Sequence, residues 1–174
     1  MNQYYSLMES MEQACSKMQY DQAIEVSLKA IEEIPQLVRD TVREYGQWDI
    51  KSLPPLEFAC NYLPVMCRHD DLQHIREIIQ SLPKLAYWRD EVDLAIKRVK
   101  IMDKIKTLVF TNPGFIQANV GKELGVENRI ISNMFYYAVK FGVIHREKEA
   151  KSYRLYSSKD LCPKCLESLS QPDY

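Results

Sequence analysis

Apolar residues return at helical spacing through most of this chain. Tyr5, Met8, Met11, Ala14, Cys15 and Met18 form one stripe and predict a helix over about 4–18. Ala23, Ile24, Leu28, Ile31, Ile34 and Val38 keep the same period and predict a second over about 21–45. Pro35 falls inside that second pattern, where it must kink or divide the helix. From Gly46 to Pro55 a glycine and two prolines interrupt any helix. A third helix is expected to start near Pro55, and a fourth to run from about Asp71 through Ile75, Ile78 and Ile79 to Leu82. Val92, Ala95, Ile96, Val99, Met102, Ile105 and Val109 then predict one long helix over about 89–110, closed by Asn112-Pro113-Gly114.

After residue 115 the pattern shortens. Val120 and Leu124, then Ile131, Phe135, Ala138 and Phe141, predict two short helices whose apolar faces meet. Gly125 and Gly142 stand where each helix must stop and the backbone must turn sharply. Beyond Val143-Ile144, Tyr153, Leu155 and Ser157 alternate against Arg154 and Tyr156 around a charged turn, which predicts a small β-hairpin.

This order, over residues 116–157, resembles bacterial winged helix-turn-helix regulators: a short helix, Leu124-Gly125-Val126, a recognition helix, Gly142-Val143-Ile144, then a wing. The resemblance implies duplex DNA as a partner. With the apolar stripe turned inward, Asn128, Arg129, Ser132, Asn133 and Tyr136 face outward on the recognition helix. In the family these positions enter the major groove, where Asn pairs adenine and Arg pairs guanine. Arg146, Lys148, Lys151 and Arg154 on the wing, with Gln117 and Lys122 on the preceding helix, are the candidates for phosphate. Glu127 departs from the pattern, because an acid at the start of the recognition helix suits the helix dipole but repels phosphate. Tyr136 and Tyr137 also stand where the family often has Arg or Lys.

The N-terminal half carries internal similarity. EQAC at 12–15 returns as EFAC at 57–60, and IPQLVRD at 34–40 as LPKLAYWRD at 82–90. The offsets, 45 residues for the first pair and 48 for the second, indicate repeated helical hairpins. Residues 20–35 are similar to the second helix of a tetratricopeptide repeat, with Ala23, Ala30 and Pro35 at its small-residue and proline positions; Met11 departs from the family's glycine. An ordinary helical bundle with coincidental matches is the alternative. Two repeats need a cover for the exposed end, supplied by the helix at 89–110 or by a second copy in a homodimer. The expected fold class is therefore mainly α: tetratricopeptide-like helical hairpins (1–88), a winged helix with one small β-hairpin (89–158), and a short polar tail (159–174).

Charge follows the same division. Residues 1–90 hold 9 Lys and Arg against 14 Asp and Glu, whereas residues 91–174 hold 14 against 10. The basic half is the one suited to phosphate, although its excess is small for a dedicated DNA-binding domain. No apolar run approaches a membrane span, the first residues lack the pattern of a signal peptide, and five cysteines without an export signal are expected to be reduced thiols. These readings place the protein in the cytoplasm, with no membrane partner.

No phosphate-binding glycine loop, zinc-protease motif or nucleophile elbow occurs, and three histidines leave few sources for a nucleophile–base pair. No catalytic residue and no cofactor are expected. Cys162 and Cys165 form a C-x-x-C pair, half of a tetrahedral zinc site, and no second pair follows. Zinc shared across a dimer, a redox pair and inert thiols remain open for it, with no metal as the expectation. The chain thus reads as a DNA-binding transcriptional regulator whose residues 1–88 bind a protein partner or a second copy. The alternative is a non-catalytic adaptor that docks protein on its winged helix, an order similar to that of PCI-type scaffold subunits. Protein purified without chelator is expected to carry substoichiometric zinc by elemental analysis; one zinc per chain or per dimer would overturn that expectation.

Overall fold

The computed structural model describes residues 3–48 and 51–157. The fold is mainly helical with one small sheet. In order, it contains α1 (Gln3–Ser16), α2 (Tyr20–Glu32), α3 (Ile34–Tyr45), α4 (Pro54–Val65), α5 (His69–Gln80), a 3-10 turn (Pro83–Leu85) and α6 (Ala86–Thr111). There follow β1 (Phe115–Ile116), α7 (Gln117–Leu124), α8 (Asn128–Lys140), β2 (Ile144–Glu149) and β3 (Ser152–Ser157). None of these helices is long and apolar enough to cross a membrane. Among the described residues two compact units emerge, one within 1–63 and 69–96 and one within 64–68 and 97–174. Helix α6 begins in the first and ends in the second.

In the first unit α1 packs on α2 through small side chains. Ala14, Ala23 and Met11 are buried together, with Cys15, Val26 and Phe58 packed around them. The helix expected over 21–45 is two helices. Glu33 ends α2, its N–H donating to the Ala30 carbonyl at 3.1 Å, and Pro35 lies in the first turn of α3. A proline costs nothing there, since its missing N–H would have had no intrahelical partner. Pro83 opens the 3-10 turn before α6 for the same reason. Tyr62 on α4 donates to Asp21 in the first turn of α2 at 2.5 Å, and Arg76 on α5 pairs with Asp93 on α6 at 2.8 Å.

In the second unit one core gathers α6, α7, α8 and the sheet. Met102, Ile105 and Val109 of α6 meet Val120, Ile131, Met134, Phe135, Ala138, Ile144 and Leu155. The hairpin expected near 143–157 is β2 paired antiparallel with β3, from Ile144 opposite Ser157 to Glu149 opposite Ser152. Strand β1, which the sequence pattern did not announce, pairs with the other edge of β3, Phe115 opposite Leu155. Two residues are too few to display an alternation. Its register is set by Gly114, which donates its N–H to the Leu155 carbonyl at 2.8 Å and has φ +82°.

Three helices end in the same hydrogen-bonded turn. After α7, the Val126 N–H reaches back to the Gly121 carbonyl at 2.9 Å, with Gly125 at φ +63°. After α8, the Val143 N–H reaches the Ala138 carbonyl at 2.8 Å, with Gly142 at φ +74°. After α1, the Gln19 N–H reaches the Ala14 carbonyl at 2.9 Å, but the left-handed residue is Met18, at φ +57°. This is the Schellman motif, which favours glycine at that position. Gly121 is constrained for a different reason. A Cβ there would meet the side-chain oxygen of Asn128 and stand 2.8 Å from the Val126 carbonyl oxygen.

These two positions give opposite predictions. Met18 is 76% exposed, so its side chain contributes little burial. Left-handed backbone costs an L-residue about 1–2 kcal/mol, against about 0.5–1 kcal/mol for the extra freedom glycine has when unfolded. Met18→Gly should therefore raise stability by about 0.5–1 kcal/mol in urea unfolding, and an unchanged or lower midpoint would contradict the argument. For Gly121→Ala, helix propensity favours alanine by about 1 kcal/mol, while overpacking costs about 1–3 kcal/mol. The opposing atom is backbone and cannot rotate away, so a net loss of about 1 kcal/mol, at most about 2 kcal/mol, is expected. A gain would mean that the turn shifts freely.

Candidate nucleic-acid interface

Helix α8 is placed by its buried stripe, and its polar stripe follows from that. Ile131, Met134, Phe135 and Ala138 are buried, which leaves Asn128, Arg129, Ser132, Asn133 and Tyr136 exposed. Glu127 occupies the N-cap and makes no side-chain cap bond; it is exposed at the head of the helix. Asn128 does not point straight outward. Its side-chain oxygen lies over Gly121, so the amide leans back toward α7.

The hairpin presents two different faces. Cross-strand pairing puts Ile144, Arg146 and Lys148 on one face with Ser157, Leu155 and Tyr153 opposite them. Ile144 and Leu155 fill the core, and the rest of that face runs on past it. There the Arg146 guanidinium lies 4.5 Å from the centre of the Tyr153 ring, a cation–π contact that holds the cation near the tip. The other face carries His145, Glu147 and Glu149 against Tyr156, Arg154 and Ser152.

Arg154 is committed within the protein. Its Nε and Nη2 donate to the two oxygens of Glu149 at 2.8 Å each, and its Nη1 donates to the Gly114 carbonyl at 3.2 Å. The bond to Glu149 raises its pKa further above the ordinary guanidinium value. Because Gly114 begins the β1 edge, this side chain ties the β2–β3 hairpin to the segment before α7. Its geometry is that of a brace.

A cleft of about 300 Å³ opens between the start of α7, the first turns of α8 and the tip of the hairpin. Four residues singled out from the sequence line it: Gln117, Asn128, Ser132 and Lys151. Tyr153, Ser152, Ala118 and Ile131 complete the wall. Tyr153 and Ser152 were not among the sequence candidates. The alternation that turns Leu155 inward turns Tyr153 the same way, and that signal was available. The Gln117 Oε1 is enclosed and has no hydrogen-bond partner among the described residues. Phosphate oxygens only accept hydrogen bonds, so they cannot satisfy it; a water or an amino group on a base edge can.

Other candidates lie apart from the cleft. Lys122 is exposed on α7, Lys148 on β2, and Arg129, Asn133 and Tyr136 along α8. Tyr136 is 58% exposed and packs edge-on against Tyr137, ring centres 5.0 Å apart. Cys162 and Cys165 lie outside the described residues. Among the described residues no three His, Cys, Asp or Glu side chains are grouped to hold a metal ion. Comparison of the chain with protein-family profiles, with curated proteins and with solved structures returns no match.

Proposed function

We propose that the second unit is a winged helix-turn-helix module that binds duplex DNA, and that the protein regulates transcription. One observation carries this reading: the cleft where Gln117, Asn128 and Ser132 face Lys151 of the hairpin tip. Two helices and a hairpin there turn polar and cationic groups toward one space. Exposed Arg129 and Asn133 extend that surface along α8, and Lys148 extends it along β2. A duplex offers a matching division of chemistry, with base edges for the amide and guanidinium groups and phosphates for the lysines. Arg154 is assigned to bracing the wing, and the phosphate role falls to Lys148, Lys151 and Arg146. The first unit would hold a protein partner or a second copy, in the manner of tetratricopeptide-like hairpins. The cytoplasm is the compartment this function implies.

An adaptor reading draws on two side chains. Exposed Glu127 heads α8 and exposed Tyr136 occupies its middle, and both suit a protein surface better than phosphate. Electrostatics separates the two readings. Affinity for duplex DNA should fall linearly with the logarithm of salt concentration, with a slope of about 0.9 per phosphate contact. Lys148→Ala with Lys151→Ala should weaken binding to every sequence and flatten that slope. Arg129→Ala should cost about 1–3 kcal/mol on the preferred site and relax the preference there. Absence of salt-sensitive affinity for any duplex at low ionic strength would reject DNA binding in favour of protein docking.

A further inference from the structure

Lys106 is 5% exposed, and Cys67 is 7% exposed. The Lys106 ammonium has one partner among the described residues, the Cys67 sulfur, at 3.0 Å. Burying an ammonium against a neutral thiol alone is unfavourable, because sulfur is a weak acceptor and replaces little of the lost hydration. Cys67 in turn donates its S–H to Asp103 Oδ1 at 3.0 Å. The thiol therefore lies between a carboxylate that can accept its proton and a cation that stabilises the resulting thiolate. The backbone at Cys67 has φ +56°, a conformation that disfavours a side chain. All three residues belong to the second unit, and none contributes to the proposed DNA surface.

We propose that Cys67 and Lys106 are a modification site at which a peroxide drives formation of a covalent sulfur–nitrogen link. In the first step the Cys67 proton passes to Asp103 and the thiolate attacks hydrogen peroxide. The O–O bond breaks, an S–O bond forms, and hydroxide leaves as water after taking up the proton. Sulfur loses two electrons and the peroxide gains them, giving the sulfenic acid. In the second step the Lys106 nitrogen, after its ammonium proton has passed to solvent water, attacks that sulfur. An S–N bond forms, the S–O bond breaks, and the hydroxyl leaves as water with a proton from nitrogen. The product is a sulfenamide, lighter than the starting pair by two hydrogens. A small thiol reverses it by attacking sulfur, releasing the lysine amine and leaving a mixed disulfide that a second thiol resolves. The link fastens the Pro64–Arg68 segment to α6 and closes a loop of chain between residues 67 and 106.

The experiment treats the full-length protein with a small excess of hydrogen peroxide, quenches it, and maps peptides by mass spectrometry with and without dithiothreitol. The expected result is a peptide pair joined through Cys67 and Lys106, about 2 Da below the sum of its parts and released by dithiothreitol. Lys106→Arg retains the cation but cannot form this link, so its Cys67 should halt at the sulfenic acid and be trapped by a cyclic dione. Wild-type Cys67 that stays unreacted would overturn the proposal. So would a wild-type Cys67 that advances to sulfinic acid, or pairs with another cysteine, while Lys106 remains unmodified. The wild-type map decides the matter even if the variant fails to fold.

Discussion

The second unit depends on the seating of α8. Its buried stripe of Ile131, Met134, Phe135 and Ala138 packs against Met102, Ile105 and Val109 of α6 and against Ile144 and Leu155 of the sheet. Each large apolar side chain buried this way contributes about 1.5–3 kcal/mol. No local propensity in a helix of this length competes with that sum. Once the stripe is seated, the rotation of α8 is fixed, and so is the direction in which Arg129, Ser132 and Asn133 face. The approach at Gly121 then sets how closely α7 can follow. There the turn carbonyl of Val126 and the amide of Asn128 occupy the space a side chain would need.

Local signals made much of this architecture legible. The helical period located α1, α5, α6 and α8 to within a few residues, although for α1 its stripe turned Tyr5 and Met18 inward, which are exposed, where Tyr4 is buried. Helix α4 was legible only as a start beside a proline. Gly125 and Gly142 marked two chain reversals because the left-handed residue of such a turn favours glycine. Met18 occupies the corresponding place after α1, so composition concealed that turn. Pro35 was legible as an interruption, although one sequence cannot decide between a kink and a break. What escaped was non-local. Met134 looked no more buried than its neighbours until the sheet and α6 were in place. Strand β1 exists because β3 offers it an edge. The pairing of Cys67 with Lys106 spans 39 positions and has no motif.

Charge was the least legible property, because sequence counts cations without showing their commitments. Arg154 belonged to the phosphate candidates by position, yet the pairing of β2 with β3 brings Glu149 within reach of it. Arg146 is partly drawn onto the Tyr153 ring. The proposed interface therefore relies on fewer mobile cations than the composition suggests, chiefly Lys148, Lys151 and Arg129. On the proposed reading, a single chain would bind duplex weakly and two copies acting together would bind more strongly.

The central claim is that α8 and the hairpin tip together face one ligand, a DNA duplex, across the cleft between them. Amide chemical shifts of the full-length protein, titrated with a short duplex at low ionic strength, test this most directly. The account predicts concerted shifts at Gln117, Asn128, Arg129, Ser132, Asn133 and Lys148 through Tyr153, with α1, α2 and α3 unmoved. Shifts confined to the first unit, or no shifts at duplex concentrations well above the protein's, would contradict it.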